Sequence, residues 1–443
     1  MSPKRIVVSR RQILKASALA SVGVAAPTLL RDAHAAETTV TFAGWAFEPQ
    51  IVEANVKVFM QQNPDVKVSY TPLDLQLYNE KMVALFNANN VPDAFYVRDT
   101  NLGAWVEAGW LQPIDGLPKL DELNKDIFTF NREALFYKGK QYGTPYYGDI
   151  YVYMHDKKQA AKAGVTAAPV TLDQLKVAAL EVKKAGIAQY PILKGYKTNV
   201  DGLSEFWSMV FASGGRLFNE NMDPVFPTED KTAVGVLEWM LDAMHTWQIL
   251  DPKGLELDET QARDAFLAGQ GVFTSNVGNV FPRANNPQLS KRAGDVAMMR
   301  FPGLNDDPTK GPMGWTRLYA IGAGTKVRDA AWRLIYYMGG KDASGAYYTA
   351  KDWYLKYGVG YAFKSLDNDV DIIEAQRKAG YDRDVLKQQV GTARARENIA
   401  APWYNEWDRF TQQQIQNTLL RRVKPQEALM ASANKARELK KQG

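Results

Sequence analysis

Hydrophobic positions in the first hundred residues follow two periods. Positions 40–43 and 94–97 are short apolar runs of strand type, and apolar residues from 51 to 59 recur at helical spacing before Asn63-Pro64. Positions 66–70 alternate as a strand, and 77–86 form a second amphipathic run. Strands and helices of this length, taken in turn, predict a mostly parallel sheet covered on both faces. Ligands bind such sheets beyond the carboxyl ends of the strands.

The same alternation returns downstream. Thr171-Leu172-Asp173-Gln174 is a capping box that opens a helix ending near Gly186. A loop rich in Gly, Pro and Asp occupies 302–312, and 318–321 forms a buried strand before a helix that stops at Gly339-Gly340. The rest of the chain is mainly helical in pattern. The roughly 400 residues after position 35 exceed what one core usually holds, so two domains are expected.

Residues 1–35 have the pattern of an export leader. Arg10-Arg11 precede a small, apolar run at 16–30, and Ala33-His34-Ala35 forms an A-x-A cleavage signal. The apolar run is shorter than the roughly 20 residues that a membrane-spanning helix needs. Paired arginines are typical of a twin-arginine leader, which is an address and not an anchor. We therefore expect a cleaved leader and a periplasmic protein.

The charge balance changes once this leader is set aside. It holds six of the 54 lysines and arginines and one of the 49 acids, which leaves 48 of each sign. A balanced surface argues against nucleic acid as a partner, because that binding depends on a basic face. The chain has no cysteine, so disulfides, thiolate chemistry and a lipid-modified cysteine anchor are excluded.

Motifs for metals and cofactors are missing from the sequence. After the leader only His155 and His245 remain, which excludes a three-histidine zinc site. The segment 367–371 resembles the start of a calcium loop, but Ile372 stands where the loop needs glycine, so a solvated acidic loop is the better interpretation. Gly339-Gly340-Lys341-Asp342 lacks the hydroxyl of a phosphate-binding loop. We predict no metal, no cofactor and no catalytic residue.

Several segments resemble one protein family. PDAFYV at 92–97 and AGWLQPI at 108–114 are similar to a segment of the family 1 extracellular solute-binding proteins, the sugar-binding receptors of ABC importers related to maltose-binding protein. Further similar segments follow in the family's order: YGTPYY at 142–147 with KAGV at 162–165, FLAGQGVF at 266–273, YAI at 319–321 before AAW at 330–332, and PQEAL at 425–429. Together they span nearly the whole chain after the leader.

The resemblance implies an α/β fold of two lobes, each a mostly parallel sheet flanked by helices, with interleaved chain crossings and a helical C-terminal region. It assigns 36–145 and 303–340 to the N-terminal lobe, and 146–302 and 341–443 to the C-terminal lobe. The crossings are expected at Pro145, near Pro302 and near Gly339-Gly340. Hinge closure around a ligand is a general property of periplasmic binding proteins and is implied here in the same way.

The stretch TPYYGDIYVYM at 144–154 follows the first expected crossing. A sugar presents a C–H face, which packs on aromatic rings, and an edge of hydroxyls, which needs polar partners once water is excluded. Tyr146, Tyr147 and Asp149 offer both surfaces. With the loops that adjoin other strands, and with segments in which the family often has an aromatic platform, the candidate ligand contacts are Trp45, Glu48, Arg98, Asp99, Tyr146, Tyr147, Asp149, Trp207, Ser275, Asn276, Trp315, Arg317, Trp353 and Tyr354.

These features predict a periplasmic receptor of an ABC importer that captures a saccharide or related polyol without chemical change. Its expected partners are the ligand and the membrane permease, and we expect a monomer. One alternative is a receptor for an anionic small molecule, such as a sugar acid or glycerol phosphate, because Arg317 can fork onto a carboxylate or phosphate. Another is a secreted glycosidase or lyase that uses Glu48 with Asp99 or Asp149 as its carboxylate pair.

Overall fold

The computed structural model describes residues 37–198 and 204–442. The predicted export leader lies outside these residues. Within the two described ranges, no helix has both the length and the apolar character needed to cross a membrane.

The described chain contains nine strands and seventeen α-helices. The strands are β1 Thr38–Trp45, β2 Val66–Leu73, β3 Ala94–Arg98, β4 Phe136–Tyr137, β5 Lys140–Gln141, β6 Gly143–Asp156, β7 Phe273–Val277, β8 Val296–Met299 and β9 Gly314–Ile321. The helices are α1 Pro49–Gln62, α2 Tyr78–Asn87, α3 Leu102–Glu107, α4 Leu120–Asp126, α5 Thr129–Glu133, α6 Lys157–Lys162, α7 Leu172–Lys184, α8 Ser204–Ala212, α9 Thr232–His245, α10 Glu259–Leu267, α11 Val280–Ala284, α12 Arg328–Met338, α13 Tyr348–Tyr357, α14 Val370–Ala379, α15 Arg383–Thr392, α16 Tyr404–Leu419 and α17 Pro425–Gln442.

Local signals in the sequence placed many of these elements. The predicted strands at 40–43, 94–97 and 318–321 lie within β1, β3 and β9, and the amphipathic run at 51–59 lies within α1. The predicted cap is present because the Thr171 hydroxyl accepts the Gln174 N–H at 3.1 Å. In the calcium-like segment, the Asp369 carboxylate accepts two backbone N–H groups at the start of α14, so it caps a helix.

Seven strands form one sheet in the order β2-β1-β3-β9-β6-β7, with β8 also paired to β6. Among the named strands of the described chain, β1 runs parallel to β2 and to β3. The pairs β3–β9, β6–β9, β6–β7 and β6–β8 are antiparallel. The mostly parallel pairing expected from the sequence therefore holds at one end of the sheet. Strands β6 and β9 carry the chain in opposite directions between two hydrophobic cores, so they must run antiparallel.

The two main cores define the lobes. The first core holds buried residues from 40–146 and 318–372, and the second holds residues from 151–315 and 399–439. A third, smaller cluster joins residues at 128–154 to 193 and 266–298. The first lobe therefore contains β1 to β3 with α12 and α13. The second lobe contains α7 to α9 with α16 and α17.

This packing differs from the lobe boundaries that the sequence predicted. Residues 303–313, expected in the N-terminal lobe, lie in the second lobe, because the crossing takes place along β9 and not near Pro302. Residues 347–372, expected in the C-terminal lobe, pack in the first core, so the chain does not leave that lobe at Gly339-Gly340. Gly339 lies instead against Thr144 and Pro145, where a side chain would overlap the β6 backbone. The predicted crossing next to Pro145 coincides with β6 itself.

Candidate ligand-binding site

Register aligns polar and aromatic side chains across the crossing strands. Arg98 at the end of β3 is paired with Arg317 of β9, and Arg317 is paired with Tyr147 of β6. Trp315 is paired with Asp149 in the same way, two residues farther along. Directly paired residues in an antiparallel ladder project to the same face of the sheet. Three strands, β3, β6 and β9, therefore place these side chains in one patch.

This patch is the floor of a cavity of about 510 Å³ between the lobes. The first lobe contributes the ends of β1 and β3 and the segment after β2, and the second lobe contributes the start of α10 and the end of β7. The residues that line this main cleft are Trp45, Phe47, Leu75, Gln76, Arg98, Tyr147, Asp149, Lys197, Thr198, Asp258, Glu259, Thr260, Val277, Asn279, Trp315, Arg317 and Val359.

Aromatic rings supply apolar faces on the wall and the floor of the main cleft. Trp45 packs edge-on against Tyr96 at 4.7 Å between ring centroids, which fixes its orientation. The Arg98 guanidinium lies 5.7 Å from the Trp45 ring centroid. On the floor of the cleft, Trp315 packs edge-on against Tyr151 at 5.5 Å. Rings held in this way present fixed surfaces for the C–H face of a ligand.

One buried ion pair supports the floor from behind. The Asp99 carboxylate accepts Arg317 Nη1–H at 2.7 Å and the backbone N–H groups of Thr316 at 2.9 Å and Thr100 at 3.0 Å. Asp99 is only 1% exposed. A buried carboxylate needs a cation and several donors to offset its lost hydration, and Asp99 has both. It therefore orients Arg317 and does not itself face the cleft.

Asp149 has a different environment. Its Oδ1 accepts the Ile150 N–H at 2.9 Å, and the Gly278 backbone also donates to the carboxylate. Among residues 37–198 and 204–442, no cation lies within ion-pair distance of it. Burial raises the pKa of Asp149 to about 7, against which these backbone donors act. Near neutral pH this carboxyl is therefore both a donor and an acceptor.

Two glycines make this environment possible. A Cβ at Gly278 would overlap the Asp149 carboxylate, and a Cβ at Gly360 would overlap the Gly148 carbonyl next to it. Backbone from two distant segments can thus pack directly against β6. This close approach excludes water from one side of Asp149, which is the physical cause of its raised pKa.

The start of α10 brings a group that the sequence interpretation missed. Asp258 caps the helix by accepting the Gln261 N–H at 2.8 Å, and Glu259 follows it at the cleft wall. Glu259 accepts a hydrogen bond from the Tyr151 hydroxyl and lies 3.9 Å from Lys194 Nζ. Lys194 also lies over the Tyr151 ring at 4.7 Å. The Asp258-x-x-Gln261 spacing is a capping-box signal, but only the fold places it opposite β9.

The structure divides the fourteen candidate contacts into three groups. Those that line the main cleft are Trp45, Arg98, Tyr147, Asp149, Trp315 and Arg317. Glu48 and Tyr354 line an adjacent cavity of about 590 Å³. The remaining six are buried behind the walls: Asp99, Tyr146, Trp207, Ser275, Asn276 and Trp353.

The buried six have structural surroundings. Trp207 stacks on Trp407 at 5.9 Å in the second core, and Tyr146 stacks on Tyr96 at 4.6 Å in the first. Trp353 stacks on Phe47 at 5.9 Å and so supports a cleft ring without lining the cleft. Ser275 and Asn276 are buried on β7, which pairs with β6 at the end of the sheet, whereas Asn279 just beyond the strand reaches the cavity.

The fold is that of a two-lobed protein whose main cleft lies at the crossing strands. The sequence model of the bacterial extracellular solute-binding protein family matches residues 46–345. The chain belongs to this family, which confirms the predicted resemblance and fold class. Within the described residues, no group of three or more His, Asp or Glu side chains is arranged to hold a metal ion.

Two characterised relatives have names that describe their ligands. The diacetylchitobiose-binding protein DasA of Streptomyces coelicolor is 24% identical over 68% of this chain and 68% of its own length. A maltotriose-binding protein of Pyrococcus abyssi is 25% identical over 65% of this chain and 59% of its own, so the match spans less than two thirds of that relative.

Solved structures match over nearly the whole fold. Maltose-bound MalE3 of T. maritima has a TM-score of 0.75 at 19% identity, covering 91% of this chain and 100% of that one. An ABC transporter solute-binding protein of Agrobacterium vitis with bound D-mannitol has a TM-score of 0.70 at 22% identity, covering 92% and 99%. At these identities the likeness establishes the fold.

Proposed function

We propose that this protein is the receptor of an ABC importer, which captures a saccharide or related polyol in the main cleft and delivers it unchanged. Family membership supports the receptor role, since the relatives described above are binding proteins and not enzymes. Their names and the ligands in the matching structures, maltose and D-mannitol, support a carbohydrate or polyol as cargo.

The observation that carries the proposal is the composition of the main cleft. Rings of tryptophan, tyrosine and phenylalanine alternate with amide, hydroxyl and carboxyl groups on both walls. Three basic side chains, Arg98, Lys197 and Arg317, lie in the same lining as three acidic ones, Asp149, Asp258 and Glu259. A neutral ligand with apolar faces and hydroxyl edges matches this surface, because each buried hydroxyl needs a donor or an acceptor.

The same contacts weigh against the two alternatives considered from the sequence, an anion bound by Arg317 and a glycosidase. The positive charge of Arg317, which suggested an anionic cargo, is already paired with Asp99. The carboxylate pair of a glycosidase is not assembled, because Asp99 is enclosed behind Arg317 and Glu48 lines the adjacent cavity. The relatives are binding proteins and give no support to the enzyme.

Capture works through closure of the lobes around β6 and β9. Both strands cross between the cores, and a register shift between Pro145 and Tyr147 interrupts the pairing where a bend is needed. A ligand that touches both walls stabilises the closed form only by its higher affinity for that form. Contacts to β3 on one side and α10 on the other provide that difference.

A thermal-shift screen of the protein against mono- and disaccharides, polyols, sugar acids and sugar phosphates tests this proposal, with product analysis of every hit. A ligand at 100 times its Kd should stabilise the protein by about 2.7 kcal/mol. A selective shift with the ligand recovered intact is expected. A ligand recovered cleaved would overturn the receptor role.

The proposal also covers the cellular location, the membrane partner and the oligomeric state. We infer export to the periplasm with removal of residues 1–35, docking of the closed form on a membrane permease, and action as a monomer. N-terminal sequencing of exported protein, expected to begin at Ala36, tests the first point. Sedimentation at micromolar concentration with and without ligand tests the last.

A further inference from the structure

A second cavity adjoins the main cleft. It has a volume of about 590 Å³ and shares Phe47, Val277 and Asn279 with the wall of the main cleft. This volume exceeds that of one small substituent on a sugar ring. A ligand longer than the main cleft would therefore extend into it.

The charge of this second cavity differs from that of the main cleft. Its wall carries three cations, Arg263, Arg283 and Lys356, and one acid, Glu48. Glu48 is already engaged, because its carboxylate accepts hydrogen bonds from Gln50 and from the Tyr357 hydroxyl. The cavity wall is therefore net positive, whereas the main cleft is balanced.

Two of the three cations have their own acids. Lys356 Nζ lies 2.8 Å from Asp352, and Arg263 Nη2 lies 2.8 Å from Asp264. For the Arg283 guanidinium, residues 37–198 and 204–442 supply neither a carboxylate within 4.0 Å nor a hydrogen-bond acceptor.

Two features of its surroundings destabilise the charged form of the Arg283 guanidinium. Burial and the neighbouring positive charge of Arg263 lower the pKa of Arg283, and Asp264, which pairs with Arg263, opposes this only in part. A half-buried guanidinium stays protonated and keeps five donors in a planar fork. An anion placed here would gain charge-assisted hydrogen bonds and would relieve the repulsion between the two arginines.

The rest of the wall suits a ring that bears such an anion. Tyr354, Tyr357 and Pro282 lie in the same wall as the arginines. Tyr357 is 37% exposed, so its ring is open to a ligand. Aromatic faces beside a guanidinium are a surface for a sugar ring with one charged substituent.

We infer that the second cavity is an anion-recognising subsite, in which Arg283 binds a carboxylate, sulfate or phosphate substituent at one end of a saccharide whose neutral part occupies the main cleft. The inference rests on the proposed function, because it assumes that the main cleft binds the saccharide. It adds the charge of the cargo.

Isothermal titration at low salt tests the subsite with defined probes. The probes are D-glucose, D-glucuronate, D-glucose 6-sulfate and D-glucose 6-phosphate, followed by cellobiose, maltotriose and chitobiose with their terminal uronate forms. We expect the charged member of a pair to bind at least tenfold tighter than the neutral one, and this preference to fall as salt is raised. The three anionic glucose derivatives distinguish carboxylate, sulfate and phosphate.

Arg283→Gln should remove the preference for charge and leave the affinity for the neutral partner unchanged. Arg283→Lys keeps a point charge without the fork and should retain part of the preference, which covers the case in which Arg283→Gln folds poorly. Arg333→Gln is the matched control, because Arg333 pairs with Asp65 on the surface and lines neither cavity.

The outcomes separate the two proposals. Neutral saccharides that bind with no preference for their charged partners would overturn the subsite and leave the receptor role intact. A preference that survives in Arg283→Gln would overturn the role of Arg283. Failure of every neutral and charged saccharide to bind would overturn both proposals.

Discussion

The two sides of the crossing strand β9 hold buried carboxylates in opposite ways. On the β3 side, Asp99 has a cation and two backbone donors, and it is fully enclosed. On the β6 side, Asp149 has backbone donors alone, although it is 9% exposed. The two carboxylates have similar positions in the sequence, because Asp99 directly follows β3, Asp149 lies in β6, and both strands reach the main cleft. Their partners are what differ.

The two carboxylates therefore have different roles: Asp99 supports the site, and Asp149 responds to pH and to the ligand. A carboxylate that pairs with a buried cation keeps that cation in place, so the Asp99 side fixes geometry. A carboxylate without a cation changes its protonation near neutral pH, so the Asp149 side adapts to what the ligand offers. The main cleft thus has one side with a fixed geometry and one side whose carboxyl group changes its protonation.

The largest expected effect comes from breaking the paired side. Arg317→Met leaves Asp99 buried without its cation and should lower the free energy of unfolding by about 3–5 kcal/mol. Urea unfolding at pH 7 measures this. The double variant Asp99→Asn with Arg317→Met should recover most of the loss, because no unpaired charge remains. A double variant as unstable as the single one would contradict this account of the pair.

The unpaired side should give a pH dependence of nearly the same size. Because the folded pKa of Asp149 is raised to about 7 from 3.8, the native state holds its proton where the unfolded state has lost it. Its contribution to stability therefore falls as pH rises from about 4 to about 7, and stays constant above. At about 1.4 kcal/mol per pKa unit, the fall is at most about 4 kcal/mol.

Asp149→Asn removes this titration and is the matched comparison. The difference in unfolding free energy between the variant and the wild type should change across pH 4 to 7 in favour of the variant. Unfolding curves at several pH values measure it. Two stability profiles that run parallel over this range would show that Asp149 does not titrate as its surroundings require.

A smaller effect should come from the backbone that shields Asp149. Gly278→Ala places a Cβ against the carboxylate, and the shift needed to accommodate it should cost about 1–3 kcal/mol. Gly391→Ala is the control, because nothing lies within 4 Å of a Cβ there. Chemical denaturation measures both. Equal stability of the two variants would mean that Gly278 does not hold this close approach.

The smallest expected effect is on ligand affinity, and it comes from removing the Tyr147 ring from the floor of the main cleft. Tyr147→Ala removes one aromatic face from the floor and should weaken binding of the saccharide found in the screen roughly tenfold, since an aromatic contact is worth about 1 kcal/mol. Titration calorimetry measures the change. Trp207→Phe, which alters a ring of the second core, should leave affinity unchanged. Equal losses in both variants would remove Tyr147 from the site.

The amino-acid sequence by itself determined the local elements and the class of protein. The apolar runs and caps placed β1, β3, β9 and α7, because these signals depend on neighbours a few residues apart. The ordered family segments identified the fold. The sequence also marked Arg98, Tyr147 and Asp149 at strands that reach the main cleft.

Only the tertiary structure decided which side chains meet. A shift of one residue moves a strand residue to the opposite face, so Tyr147 reaches the main cleft while Tyr146 enters the core. Asp258 and Glu259 lie more than fifty residues from β9, the strand they face, and no local pattern records that pairing. The fold also decided the surroundings of the two buried carboxylates, because it brings Arg317 to Asp99 and two glycines to Asp149.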